Sequence, residues 1–100
     1  MTSLIEITDL YLNQTHEQLE LIAAAIQQGD PASVTRHAHS SAGASGVCGI
    51  VVMEPLFREL EALGKSAQLE AAPPVFEALC KSYALVKDFL LRCRHQMPLS

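Results

Sequence analysis

Apolar residues return every three or four positions through most of this chain, and no segment sustains the strict alternation of a strand, so the pattern predicts helices. Leu4, Ile7, Tyr11, Thr15, Leu19, Ile22 and Ile26 make one largely apolar stripe of a helix over 4–28. Gly29 stops it where a left-handed residue is wanted. Asp30-Pro31 opens a second helix over 31–48, with Asp30 capping the free N–H groups and Pro31 in the first turn, where its missing donor costs nothing. Val34 and Ala38 point inward on this helix, and Gly49 ends it. A third helix over 53–69 takes Pro55 in its first turn. Met53, Leu56, Leu60 and Leu63 line its inner face, with Arg58, Glu59 and Glu61 more exposed. After Ala71-Ala72-Pro73-Pro74 a fourth helix covers 74–95, its stripe built from Val75 or Phe76, Leu79, Tyr83, Val86 and Leu90. Four amphipathic helices with short connections predict an all-α fold, an antiparallel up-down-up-down four-helix bundle forming one domain over 1–100.

Composition sharpens this picture mainly through what it excludes. The 100 residues are 49% hydrophobic and 18% charged, which is not the composition of a disordered tail. A net charge of −4 and an absence of Trp argue against nucleic acid as a partner. The first residues lack a basic segment followed by an apolar run, so no secretory signal is expected. Cys48, Cys80 and Cys93 are odd in number and lack a CxxC spacing, which fits reduced thiols in a cytoplasmic protein and predicts no metal site.

Charge is distributed unevenly. From His37 to Met53 there are seventeen residues without one Asp, Glu, Lys or Arg. A membrane span needs about 20 mostly apolar residues, and the two His, three Ser and three Gly within this stretch exclude one. Three motif-like strings here are also set aside. Gly43-Ala44-Ser45-Gly46-Val47 misses the last glycine of a nucleophile elbow, and the chain is too short for that fold's sheet. Gly43-Ala44-Ser45-Gly46 spells the GxxG of an RNA-binding loop without its strands or basic flanks. His37 and His39, two apart on a helix, point about 200° away from each other and cannot share an ion.

What remains is an imidazole among small residues. His39, Gly43, Gly46 and Gly49 are spaced by four, three and three, nearly one line along a helix, with Ala42 and Ser45 beside it. Helix-interior glycines cost about 1 kcal/mol each relative to Ala. Spacing alone leaves two explanations: a core histidine beside a tight helix–helix contact, or an exposed imidazole with room around it.

The run from Arg36 to Ile50 resembles the signature of histidine-containing phosphotransfer (HPt) domains, Ala-His-x-x-Lys-Gly-x-x-Gly-x-x-Gly, matched by Ala38, His39, Gly43, Gly46 and Gly49. Met53, Leu56, Leu60 and Glu61 fall in step with the family's downstream leucine run. The resemblance implies a four-helix bundle whose phosphoacceptor is His39. It implies a phosphorelay intermediate that takes a phosphoryl group from a receiver-domain aspartyl phosphate and passes it to another receiver. The same fold without phosphate chemistry, a docking module for a receiver or kinase, is the alternative. Either is a carrier or adaptor rather than a stand-alone kinase, since a nucleotide-binding catalytic domain does not fit in 100 residues.

The implied partners are response-regulator receivers and a hybrid histidine kinase, and the implied state is a monomer. No cofactor of its own is expected, with Mg²⁺ on the receiver. Ser40, Ala42, Gly43 and Gly46 surround the acceptor on the implied docking face, where bulk or charge would obstruct the receiver's loops. The sequence departs from the family at Ala42, where a lysine that contacts the phosphoryl group is usual. Lys65, sharing a helix face with Glu61, and Arg36, one turn before His39, are the candidate substitutes. Histidine suits the chemistry because an imidazole with an ordinary pKa of about 6.5 is mostly neutral, and so nucleophilic, at pH 7.

Overall fold

The computed structural model describes residues 4–47 and 52–96, and no strand occurs among them. Helix α1 spans Leu4–Gln28, α2 Pro31–Val47, α3 Glu54–Lys65 and α4 Ala72–Gln96, with a single 3₁₀ turn at Leu69–Ala71. The helices follow one another around the bundle, α1 on α2, α2 on α3, α3 on α4, and α4 closes back on α1. The α2–α3 contact is the most extensive. Cys48 and Gly49, the expected end of the second helix, lie outside the described residues. No helix among the described residues is long and apolar enough to cross a membrane.

The punctuation after α1 is local chemistry. Gly29 sits at φ +68, and the N–H groups of Gly29 and Asp30 return to the carbonyls of Ile26 and Ala25 at 3.1 and 2.9 Å, closing the helix in a Schellman turn. Asp30 then caps α2, accepting from the Ser33 N–H at 3.2 Å and the Ser33 hydroxyl at 2.7 Å. These bonds hold its carboxyl below the usual carboxylate value.

The end of α3 departs from the periodicity. The helix stops at Lys65 rather than near 69, because Ala67 adopts φ +54. Gln68 and Ala67 donate to the carbonyls of Leu63 and Gly64 at 2.9 and 3.2 Å, the same closing geometry as after α1. Alanine carries no sequence signal for this conformation, so the apolar pattern ran on through it. Helix α4 correspondingly begins earlier, at Ala72, with Pro73 and Pro74 in its first turn.

The core gathers Tyr11, Leu12, Leu19 and Ile22 of α1, Val34, Ala38 and Ala42 of α2, Met53, Phe57 and Leu60 at α3, and Leu79 and Val86 of α4. Phe57 is fully buried where the sequence pattern favoured Leu56 and Leu63, which are only half-buried. The Tyr11 hydroxyl joins three elements, 3.2 Å from Ser45 Oγ and donating to Met53 Sδ at 3.8 Å. Tyr83 ties α4 to α1 by donating to the Leu12 carbonyl at 2.9 Å.

Close approach of α2 and α3 depends on Gly64. A Cβ there would run into Thr35 Oγ1 and lie 2.9 Å from the Pro31 carbonyl oxygen, itself bonded by the Thr35 hydroxyl. Gly64→Ala is therefore expected to cost about 1–3 kcal/mol through overpacking. Ala67→Gly, which relieves a left-handed alanine, should add about 1 kcal/mol. Urea unfolding midpoints of the two variants check both signs.

Candidate functional site

Helix α2 presents His39 on its outer surface, with its side chain 67% exposed. The register set by Gly64 against Thr35 brings α3 alongside so that Glu61 meets the imidazole, with His39 Nδ1 3.0 Å from Glu61 Oε2. Glu61 is buried, its side chain 10% exposed. The sequence pattern placed it on the exposed face. Tertiary packing corrects this, because the carboxylate lies in the α2–α3 seam and is supplied with cations there.

Three basic groups converge on this one carboxylate. Lys65 Nζ lies 3.1 Å from Oε2, and Arg58 Nη1 donates to Oε1 at 3.1 Å. The hydrogen bond to Lys65 first, then those to Arg58 and His39, hold the Glu61 carboxyl down at about 2 against an opposing burial effect. An ionised carboxylate accepts only. The Nδ1 of His39 must then carry the proton and donate it to Glu61, which leaves the lone pair of a neutral ring on Nε2. Arg58 Nη1 also stands 3.4 Å from His39 Nδ1. Two donors do not bond each other, so this is a close approach of two groups sharing Glu61.

The exposure of the His39 side chain settles the choice between a core histidine and an exposed one. Gly43 is exposed, and a Cβ there would meet nothing within 4 Å. Among the described glycines, the one in a tight helix–helix contact is Gly64, on the neighbouring helix. Gly46 lies within α2, and Gly49 falls outside the described residues.

The other expected site residues are spread around α2. Ala42 is fully buried and faces the core, so it does not contribute to the exposed surface on which the sequence pattern had set it. Three residues beyond His39, it lies on the side of α2 turned toward its packing partners. Arg36 is exposed and reaches back to Ser33 Oγ at 3.5 Å. Ser40 is exposed on the rim of a polar cleft between α1 and α2 that Gln14 and Gln18 also line. Lys65 joins the Glu61 cluster.

Arg58 is the site residue that sequence reasoning missed. Its signal was available in part: residues 58, 61 and 65 are spaced by three and four, opposite charges on one helix face. Nothing local indicated that this face meets His39. His37 turns the other way, its Nδ1 3.1 Å from Gln18 Oε1 on α1, as expected for residues two apart.

Comparison with known proteins identifies the family to which this helical bundle, with its solvent-facing, carboxylate-paired histidine, belongs. Residues 6–92 match the Hpt domain family model, and the chain belongs to that family. Its structure resembles histidine-containing phosphotransfer protein B (HptB) from Pseudomonas aeruginosa PAO1, with a TM-score of 0.87 and 27% identity over 91% of this chain and 79% of the other. No curated protein sequence matches the chain. Family and fold together support a histidine phosphotransfer role in phosphorelays.

The folded-state value of Glu61 lies below its ordinary 4.5, so its ionisation stabilises the fold fully above about pH 4.5 and progressively less as pH falls toward 2. Carbon-13 NMR should find the Glu61 carboxyl titrating well below the other glutamates. Glu61→Gln should flatten the acid limb of the stability profile between those values.

Proposed function

We propose that His39 is the phosphoacceptor of a relay, taking its phosphoryl group from a receiver-domain aspartyl phosphate and passing it to a second receiver. The observation that carries this is the pairing of an exposed imidazole with a buried, ionised Glu61 at 3.0 Å. It leaves Nε2 as the nucleophilic nitrogen and presents it to solvent beside the open surface at Gly43.

In the forward step the Nε2 lone pair forms an N–P bond while the P–O bond to the aspartyl carboxyl breaks, its electron pair leaving on that carboxylate. Nδ1 keeps its proton. The ring gains positive charge, which Glu61 meets without having to move. Onward transfer reverses these changes on a second aspartate, and the ring returns to neutral. Phosphoryl transfer rests mostly on in-line positioning and charge stabilisation. The aspartate and Mg²⁺ are assigned to the receiver. This chain's part is to hold an imidazole in one tautomer on a rigid helix, with no bulk in front of it.

Incubation with a phosphorylated receiver and Mg²⁺ should give acid-labile, alkali-stable label on the chain. His39→Gln should abolish that label while leaving receiver binding in place, and His37→Ala should keep it within about twofold. Label surviving in His39→Gln would sink the assignment, and native protein that binds but never takes label would mark a docking module instead. Glu61→Gln, which removes the charge but keeps an acceptor, should slow labelling by about 10–100-fold, the worth of one charge-assisted contact to a developing charge.

A further inference from the structure

The charge that a phosphoryl group would meet at His39 comes from α3. Along α2 from His37 to Val47 there is no Asp, Glu, Lys or Arg. Arg36, the preceding cation on α2, is turned back to Ser33. Two cations of α3 share Glu61 with the imidazole, but they are placed differently. Lys65 approaches the same oxygen, Oε2, that accepts the His39 proton. Arg58 holds the other oxygen, Oε1, and its Nη1 is 3.4 Å from the ring.

Register extends this difference. Gly64 stands against Thr35 and Pro31, and Glu61 against His39. Continuing along antiparallel helices, the next turn of α3 carries Arg58 to the level of Ala42 and Gly43. Over Gly43 a Cβ would meet nothing within 4 Å, and the Arg58 side chain is 46% exposed. A guanidinium has five N–H donors in a planar fork suited to phosphate oxygens. The bond to Oε1 uses one of its nitrogens, so the fork can bridge carboxylate and phosphoryl group without leaving its anchor.

We propose that Arg58 binds the phosphoryl group on His39, in the space left by the missing side chain of Gly43, with Glu61 positioning its guanidinium. This rests on His39 being the phosphoacceptor. It differs from the sequence expectation, in which Lys65 or Arg36 serves. It also gives Gly43 a second purpose, as room for the phosphoryl oxygens.

The test needs no partner. The intact chain is phosphorylated with phosphoramidate, and loss of phosphohistidine is followed by phosphorus-31 NMR in the native protein and in Arg58→Ala, Arg58→Lys and Lys65→Ala, each checked for an unchanged thermal midpoint. Arg58→Ala should shorten the phosphohistidine lifetime by about tenfold, the scale of one charge-assisted hydrogen bond. Arg58→Lys should restore part of it, and Lys65→Ala should change it by less than about twofold. A lifetime unaltered in Arg58→Ala, or shortened equally in Lys65→Ala, overturns the assignment to Arg58 while leaving the acceptor in place. A native chain that takes no phosphate on His39 overturns both.

Discussion

Much of this structure depends on how closely α2 and α3 can approach. That distance is permitted by one missing side chain, at Gly64, where a Cβ would collide with Thr35. The contact sets the register of two antiparallel helices, and the register decides which α3 residue stands beside His39. A shift of one turn along either helix would replace Glu61 with another partner. The packing constraint and the chemistry of the site are therefore one problem. A steric event about one turn from the imidazole determines what the imidazole is bonded to.

The two helices divide the work. Helix α2 contributes His39 and the open space at Gly43, and its uncharged stretch keeps both unobstructed. Among the described residues, helix α3 contributes the charged groups that reach the ring, concentrated on one buried carboxylate with Lys65, Arg58 and His39 around it. Burial alone would raise the carboxyl's pKa, but the hydrogen bonds outweigh it and drive the value to about 2. At neutral pH the result is an anion that fixes the ring tautomer. The seventeen-residue neutral gap thus belongs to a site that is strongly charged, with the charges supplied across the helix interface.

Most of the architecture was legible because it follows from short-range rules. The stop at Gly29 and the Asp30 cap are visible as residue types at fixed offsets, and the structure forms both. The stop at Ala67 was not legible, since alanine is an unusual occupant of left-handed backbone and the apolar rhythm continued past it. Glu61 was misplaced for a related reason. A glutamate belongs on the outside of an isolated helix, and only its cations make burial in the seam tolerable. Ala42 is the reverse case, a small neutral residue counted with the surface that packing turned inward.

The sequence by itself determined four helices, the starts of the first three to within a residue, the stop at Gly29, the family likeness around His39, and the small, uncharged stretch of α2. Periodicity, caps and breakers act within a few residues, so one chain segment contains the information. Only the tertiary structure decided that His39 is exposed, that Glu61 holds its Nδ1, that Arg58 lies 3.4 Å from the ring, and that Ala42 is in the core. Those facts depend on the rotation and register of α2 against α3. A steric fit between Gly64 and Thr35 sets that register, and neither residue's own segment contains it.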